Sequence, residues 1–275
     1  MRSTDSNTAT RPWVPPAVGK LQQRRLADFQ ACGYERSPMQ RSMTSNTPPV
    51  ARPVVAVFDF DGTLTRRDTS LPFVVFVLGR VKTWLTIVRL VPMFGLDLVT
   101  AFWDERLKSQ AGQPESLGGV VGKWEANVHE RLLRHCFAGM TADRLRDLGE
   151  RFMAIEGASL IKQAGLRRLA WHKSQGHRCI LISASIDVYL DPWATDAGFD
   201  DVLGTQLELD DKGVFTGRFA MEPCWGRAKV RRLESHLGSL ADYTVFAYGD
   251  SRGDKDLLAA ADHGFLVRGE FEFTM

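Results

Sequence analysis

The sequence lacks a strong charge of either sign, a long uncharged apolar run and any regular spacing of cysteines. Its 275 residues carry 35 Lys and Arg against 33 Asp and Glu, a net charge of +2, which is too small to indicate a nucleic-acid partner. Its longest uncharged runs fall short of the roughly 18 residues that a membrane-spanning helix needs. The cysteines have neither metal-ligand nor disulfide-framework spacing, which is typical of reduced thiols in a cytoplasmic protein; they are Cys32, Cys136, Cys179 and Cys224.

Residues 1–52 differ from the rest of the chain in composition. They are rich in Ser, Thr, Pro and Arg, and eight basic against three acidic residues give the segment a net charge of +5. The segment has no apolar region of the kind found in secretory signals. We predict a disordered N-terminal extension without functional residues; an upstream start codon with Met43 as the true start, and a transit peptide, are the alternatives.

The segment Val54–Thr65, VVAVFDFDGTLT, joins an apolar run to a turn that contains two aspartates. The run of β-branched and aromatic residues predicts a strand that is buried on both faces, as in a parallel sheet. Ligands of open α/β sheets bind beyond the carboxyl ends of such strands. Asp59 and Asp61 follow two residues apart, so we expect both carboxylates to face one site.

Two carboxylates this close repel each other unless a cation or a shared proton relieves them. Mg²⁺ suits such a position, because its sites combine one or two carboxylates with phosphate oxygens of a substrate. A carboxylate can also attack phosphorus as a nucleophile, and the amides of Gly62 and Thr63 are placed to turn toward an anion. An EF-hand loop is excluded, because Leu64 and Ser70 stand where that loop requires Gly and Glu. An acidic turn that caps a helix is the structural alternative.

Two further apolar strand patterns end in polar residues. One is followed by Ser183 and Ser185, and a small hydroxyl at a strand end can donate a hydrogen bond to a phosphate oxygen, although a serine there is more often a helix cap. The other ends at Gly249 and is followed by Asp250 and Asp254. A helix cap is also the structural alternative for either aspartate alone.

The chain between and after these two patterns predicts a hairpin, a helix and a last strand. Thr205–Ala220 predicts a β-hairpin around Asp-Asp-Lys-Gly. A helix then begins with Lys229 in its first turn, against the preference of the helix dipole for acidic residues there. Binding an anion would explain this lysine, and solvation at the surface is the alternative. Residues 264–270, GFLVRGE, predict one more short strand.

The segment Leu71–Trp103 is strongly apolar and is interrupted by only a few charges. It is either the core of a helical subdomain or a surface that dips into the bilayer interface, with basic residues at the level of the headgroups. Residues 104–170 then predict mostly amphipathic helix. The aromatic and charged residues concerned are Phe73, Phe76, Trp84, Phe94, Phe102 and Trp103, with Arg80, Lys82, Arg89 and Asp97.

The motifs DxDGT, Ser, Lys and GDSxxD, in this order, resemble the haloacid dehalogenase superfamily of phosphatases over about residues 54–268. The helical insertion between the first two motifs resembles the C1 cap of the phosphoserine-phosphatase-like subfamily IB. The resemblance implies an α/β fold, with a three-layer Rossmann-like core and a parallel sheet at residues 53–70 and 165–275. It also implies a helical C1 cap at residues 71–164, inserted after the first strand.

The resemblance further implies a role for each motif residue. Asp59 would be the nucleophile and Asp61 the general acid and base, while Lys229 would steady Asp59 and hold the phosphoryl group together with Ser183. The substrate-binding set would be Gly62, Thr63, Asp68, Ser183, Ala184 and Lys229. Mg²⁺ would be held by Asp59, the backbone carbonyl of Asp61, Asp250 and, in support, Asp254.

Two positions depart from the phosphoserine phosphatases. Ala184 and Ser185 stand where those enzymes have Gly-Gly, and Asp68 stands where they have a Glu that helps to bind the substrate amine. Within subfamily IB, the apolar start of the cap, the helix start GRAKV and the closing VRGE are more similar to the bacterial phosphatidylglycerophosphate phosphatase C group. That similarity implies a cytoplasmic enzyme that contacts the inner face of the cytoplasmic membrane through its cap.

The leading hypothesis is therefore a Mg²⁺-dependent phosphomonoester hydrolase that works through an aspartyl-phosphate, with phosphatidylglycerophosphate as the favoured substrate. One alternative is a soluble phosphatase of small metabolites, either phosphoserine-like or sugar and polyol phosphates. A phosphotransferase with a second alcohol as acceptor is another. The alternative from a different class is a non-catalytic protein that binds a partner through the cap.

Overall fold

The computed structural model describes residues 52–92, 95 and 131–274. Residues 1–51 of the predicted N-terminal extension, which was expected to end at Arg52, lie outside the described residues. So do Phe94 and the cap residues between 96 and 130, which include Phe102 and Trp103. The strands are β1 (Val54–Phe58), β2 (Arg178–Ile186), β3 (Asp201–Thr205), β4 (Leu207–Leu209), β5 (Phe215–Phe219), β6 (Thr244–Gly249), β7 (His263–Arg268) and β8 (Glu272–Thr274). The helices are α1 (Ser70–Leu78), α2 (Arg80–Pro92), α3 (Ala142–Leu160), α4 (Gln163–Ser174), α5 (Asp187–Ala197), α6 (Arg227–Leu237) and α7 (Lys255–Ala260).

The central sheet has the strand order β3-β2-β1-β6-β7-β8. Neighbouring strands pair in parallel except for β7 and β8, which are antiparallel. The predicted α/β fold with a parallel sheet is confirmed, and so is the hairpin, which forms from β4 and β5. The edge strand β8 was not predicted, because three residues are too few for a period of two to be read.

Strand β1 lies in the middle of this sheet and is covered on both faces. Val55 and Val57 belong to one hydrophobic cluster, whereas Ala56 and Phe58 belong to another. Successive side chains of a strand point to opposite faces, so the two clusters are the layers above and below the sheet. The burial on both faces that the apolar run predicts is confirmed.

Strand β2 is longer than its apolar pattern indicates. We expected the strand to end at the two serines, but it includes Ser183 and Ser185 and continues to Ile186. Its pairing with β3 changes register between Ile182 and Ile186, as at a β-bulge, which bends a strand and redirects its side chains. Both serines are buried within the strand, so the prediction that their polarity marks the end of β2 was wrong.

An aromatic cluster joins α1, α3 and α5 next to the loop that follows β1. The ring of Phe73 lies 4.7 Å from that of Tyr189 and 5.4 Å from that of Phe152, measured between centroids. The hydroxyl of Tyr189 lies 2.9 Å from Oγ1 of Thr69, the residue before α1. This packing fixes the position at which the chain leaves the sheet and enters the first helix.

The first helices of the predicted cap meet at a sharp bend. Among the described residues, no single helix has both the length and the apolar composition to span a membrane. Helices α1 and α2 meet those criteria only as a pair, and they are bent by 117°.

A buried polar network lies beneath the carboxyl end of β6. The hydroxyl of Tyr248 accepts a hydrogen bond from Nε of Arg168 at 2.6 Å and lies 2.9 Å from Nε2 of His172. Nδ1 of His172 lies 2.8 Å from Nδ1 of His177. The carbonyl of Tyr248 accepts from the amide of Asp59 at 2.9 Å, so this network supports the residue that follows β1.

This network predicts a stability that falls in acid. Burial, with the charge of Arg168 and the neighbouring His177, lowers the pKa of His172 from 6.5 to about 3. The unfolded chain takes up this proton near pH 6.5, whereas the folded protein does not, so acid below that pH favours unfolding. We expect the wild type to lose up to about 1.4 kcal/mol more per pH unit than His172→Gln over this range. Urea unfolding of both proteins at pH 7, 6 and 5 measures the difference, and parallel pH dependences would contradict it.

Candidate active site

A polar cavity of about 380 Å³ opens at the carboxyl ends of β1, β2 and β6. Parallel strands that lie side by side end at the same edge of a sheet, so the residues that follow them converge there. The side chains around this cavity are mostly acids and hydroxyls. The lining residues are Asp59, Asp61, Gly62, Asp68, Ser70, Ser183, Ala184, Ser185, Trp225, Lys229, Asp250, Ser251 and Gly253.

The floor of the cavity is a buried lysine between two carboxylates. Nζ of Lys229 lies 2.5 Å from Oδ1 of Asp59 and 2.5 Å from Oδ1 of Asp254, and all three residues are buried. Burial alone would lower the pKa of Lys229, but the two carboxylates raise it above its ordinary value. Burial and the charge of Asp254 raise the pKa of Asp59, and contact with Lys229 offsets part of that rise. Lys229 is therefore a fixed positive charge at the floor of the site.

The carboxylate of Asp61 is held on both of its oxygens. Oδ1 accepts from the amide and the hydroxyl of Thr69 at 2.8 and 2.7 Å, and Oδ2 accepts from Oγ of Ser185 at 2.5 Å. Burial and the nearby charge of Asp68 raise the pKa of Asp61 to about 7, against these hydrogen bonds. A carboxyl group with that pKa both gives and takes a proton near neutral pH.

The loop after β1 packs directly against Asp250. Gly62 has a φ of +75°, and a Cβ at this position would lie 2.1 Å from Oδ2 of Asp250. The hydroxyl of Thr63 donates to Oδ1 of Asp250 at 3.2 Å. Nζ of the buried Lys162 donates to the carbonyl of Gly62. Glycine is required here both by its backbone conformation and by the close approach of Asp250.

The two serines of β2 have different partners. Oγ of Ser183 accepts from the amide of Ser185 at 3.1 Å. Within the described part of the chain no acceptor takes the proton of the Ser183 hydroxyl, so it can be donated to a ligand in the cavity. The hydroxyl of Ser185 instead donates to Asp61. Ala184 lines the cavity beside them, and its carbonyl accepts from Oγ1 of Thr205 at 2.6 Å.

The acidic side chains of the site are able to hold a hard cation. Carboxylate oxygens of Asp59, Asp250 and Asp254 all lie within 4.8 Å of one another, and oxygen donors of this kind suit Mg²⁺. The oxygens of Asp254 also accept from Lys229 and from the amide and hydroxyl of Ser251, at 3.1 and 2.8 Å. Asp254 therefore fits a supporting position better than that of a direct ligand.

The structure brings together most of the predicted site residues and adds some that the sequence did not indicate. Thr63 and Asp254 are buried behind the cavity and do not line it. Sequence reasoning missed the partners of Asp61 and the lysine behind Gly62, namely Thr69, Ser185 and Lys162. A signal existed only for Ser185, because a period of two places it on the same side of β2 as Ser183.

Comparisons with known proteins identify the family and the fold. The family model described as haloacid dehalogenase-like hydrolase matches residues 56–259. Protein CicA of Caulobacter vibrioides is 27% identical over 232 residues, which cover 83% of this chain and 94% of that protein. A Mycobacterium tuberculosis protein named as a probable phosphatase is 25% identical over 240 residues, which cover 84% and 75%. A solved structure from Bordetella pertussis Tohama I, of unknown function, shares the fold with a TM-score of 0.55 and 22% identity, covering 77% of this chain and 87% of that one.

The contact between Gly62 and Asp250 predicts a specific loss of stability in Gly62→Ala. Gly213, in the turn of the hairpin, is a matched control, because its φ is +72° and no atom of the described residues lies within 4 Å of an added Cβ. Both substitutions cost about 1 kcal/mol for the left-handed backbone, and only Gly62→Ala also displaces a neighbour, the half-buried side chain of Asp250. We expect a clearly larger fall in the unfolding free energy for Gly62→Ala, measured with urea. Equal losses in the two variants would contradict the close approach.

Proposed function

The chain belongs to the haloacid dehalogenase-like hydrolases, and on this premise we propose that it is a Mg²⁺-dependent phosphomonoester hydrolase that works through an aspartyl-phosphate. The observation that carries the proposal is the buried contact of Lys229 with Asp59 at the floor of the cavity. An aspartate held by a lysine at a strand end is positioned for attack on an electrophile. Apolar side chains of similar size would stabilise the fold as well as this buried ion pair does, so stability alone does not explain the pair.

In the proposed first step, a carboxylate oxygen of Asp59 attacks phosphorus in line with the ester oxygen. The P–O bond to the alcohol breaks as the bond to Asp59 forms, and Asp61 gives its proton to the leaving oxygen. The ammonium of Lys229 and the hydroxyl of Ser183 stabilise the negative charge on the transferring phosphoryl group. The pKa of Asp61, raised to about 7 by burial and Asp68, supports its role as the acid.

In the second step, water attacks phosphorus and breaks the bond to Asp59. Asp61, now ionised, takes the proton of this water, so phosphate leaves and both aspartates return to their first state. The hydrogen bonds from Thr69 and Ser185 keep the carboxylate of Asp61 in place through both steps.

The carboxylates of Asp59 and Asp250, with the backbone carbonyl of Asp61, would hold the Mg²⁺, and Asp254 would support them. Bound there, the cation supplies positive charge that lets two carboxylates and a phosphate dianion share one site. The mutual proximity of the three acidic side chains supports this assignment.

For the substrate, we propose a phospholipid monoester such as phosphatidylglycerophosphate, in keeping with the resemblance to subfamily IB and to the phosphatidylglycerophosphate phosphatase C group. The supporting observation is the solvent-facing side of α2. Five apolar side chains there are between 47% and 73% exposed, namely Val81, Trp84, Leu85, Val88 and Val91. At 3.6 residues per turn they span an arc of about 120° on one side of the helix.

Basic side chains flank this apolar stripe on both sides. Arg80 lies on one side, and Lys82 and Arg89 on the other, and all three are exposed. The opposite side of α2 is buried through Thr83 and Leu90. An apolar stripe between cations is typical of a helix that lies in the interface of an anionic bilayer. We propose that α2 rests on the inner face of the cytoplasmic membrane and brings a lipid phosphate to Asp59.

The first prediction from the proposed function concerns the nucleophile. We expect Asp59→Asn to lose at least about 10³-fold of the turnover rate, because an amide cannot form the phosphorylated intermediate. The exposed Asp211→Asn, in the hairpin turn, is the matched control and should keep full activity. Phosphate release from a panel of lipid and water-soluble phosphomonoesters measures both variants. Substantial turnover by folded Asp59→Asn would refute the covalent route, and the absence of turnover by the wild type on every ester would favour a binding protein.

The second prediction concerns the metal. We expect EDTA to abolish the activity and added Mg²⁺ to restore it. Asp250→Asn should need a much higher Mg²⁺ concentration for half-maximal activity, because one ionised ligand is lost. Asp256→Asn, an exposed aspartate on the neighbouring helix α7, should behave as the wild type. Full activity in metal-free buffer would rule out the assignment.

The third prediction concerns the membrane. Trp84 and Ile155 are each 64% exposed, so Trp84→Glu and Ile155→Glu add the same charge at equal exposure, on α2 and on α3. We expect Trp84→Glu to bind anionic liposomes at least about fivefold more weakly, since one charge near such a surface contributes about 1 kcal/mol. Ile155→Glu should bind as the wild type does. A wild type that stays in the supernatant at low salt and prefers phosphoserine would support the soluble phosphatase instead.

A further inference from the structure

A large aromatic side chain stands at the mouth of the cavity, outside the set of residues to which the reaction gives a role. Trp225 lies in the loop before α6, four residues before Lys229, and 37% of its surface is exposed. Most exposed aromatic side chains need no explanation. This one lines the cavity of about 380 Å³ that contains Asp59.

The backbone and the ring of Trp225 are both held in place. Its amide donates to the carbonyl of Pro223 at 2.8 Å, and its carbonyl accepts from the amide of Ala228 at 3.1 Å. The amide of Gly226 donates to the carbonyl of Gly253 at 2.9 Å, which ties this loop to the turn after β6. A Cβ on Gly253 would lie 2.6 Å from Nε1 of Trp225, so the indole rests directly on that glycine.

The indole differs from the other side chains of the cavity, which are mostly charged or polar. Among the described residues that line it, Trp225 is the one aromatic side chain, and Ala184 is the other apolar one. The acids, the hydroxyls and Lys229 suit a phosphoryl group, a metal and protons. None of them suits the carbon skeleton of an alcohol, which has to extend from the phosphorus toward solvent.

We propose that the indole of Trp225 is the contact surface for the leaving alcohol and determines which phosphomonoesters the site prefers. The inference rests on the proposed function, since it assigns the alcohol side of the same site. The preferred class is an ester whose alcohol presents a carbon face next to the ester oxygen, which the C–H face of the glycerol unit in the proposed lipid supplies and a larger apolar or aromatic group supplies more fully. An indole offers a large, rigid surface to such a group with little loss of side-chain freedom.

Binding of two phosphonates tests this inference without turnover. Benzylphosphonate and methylphosphonate carry the same charged group on a large and a minimal carbon skeleton, and neither has an ester bond to break. We expect the wild type with Mg²⁺ to bind benzylphosphonate at least about tenfold more tightly, by calorimetry. Trp225→Ala should lose this ratio, and Trp225→Phe should retain most of it. Phe273→Ala, which truncates an aromatic side chain of β8 that is 41% exposed and does not line the cavity, is the matched control and should leave the ratio unchanged.

The ratio separates a role in specificity from a role in folding. A distorted loop in Trp225→Ala would weaken both phosphonates equally, so a ratio that survives in this variant overturns the inference, as does a wild type without preference. A wild type that shows the ratio but releases phosphate from no ester would refute the proposed hydrolase and leave the assignment of Trp225 standing. A wild type that hydrolyses esters but binds the two phosphonates equally would support the proposed hydrolase and refute the assignment of Trp225.

Discussion

The buried contact of Lys229 with Asp59 and Asp254 is the interaction on which the rest of the site depends. Removal of one partner from a buried ion pair costs about 3–5 kcal/mol, because it leaves an uncompensated charge away from water. The three side chains come from the loop after β1, the first turn of α6 and the turn after β6. Those elements therefore have to fold together before all three charges are satisfied. The proposed reaction residues and the fold are in this way stabilised by the same contact.

The sheet places the acidic residues of the site next to one another, and the layers that cover the sheet hold them there. Strands β1 and β6 pair in parallel, and the amide of Asp59 bonds to the carbonyl of Tyr248, so Asp59 and Asp250 follow adjacent strand ends. Behind Tyr248, the His172 network and the stacked ring of Phe58, 4.7 Å away between centroids, fill one layer. This burial allows hydrogen bonds to set the orientation of each carboxylate with little competition from water.

On our proposals, recognition of the substrate is divided between the cavity and the exposed stripe of α2. The floor of the cavity is charged and suits the phosphoryl group, whereas the proposed alcohol contact, Trp225, lies at the mouth. The exposed stripe of α2 is a separate apolar surface with flanking cations, and on our proposal it decides where the enzyme meets its substrate. On these proposals, the reaction and the place where the enzyme meets its substrate depend on different elements. This is expected when one reaction centre serves many substrates in a family.

The sequence by itself determined strands β1, β6 and β7, the hairpin, the order of the motifs and the aspartates that follow β1 and β6, because each of these is written in a local pattern of a few residues. For α2 the sequence showed an apolar segment but did not decide whether its apolar side chains form a core or an exposed surface. Tertiary structure alone decided that β2 runs past Ser183, that Thr69 and Ser185 hold Asp61, and that Trp225 reaches the cavity. Ser185 and Asp61 are 124 residues apart, and contacts at such separations follow from how layers pack, which no local period encodes.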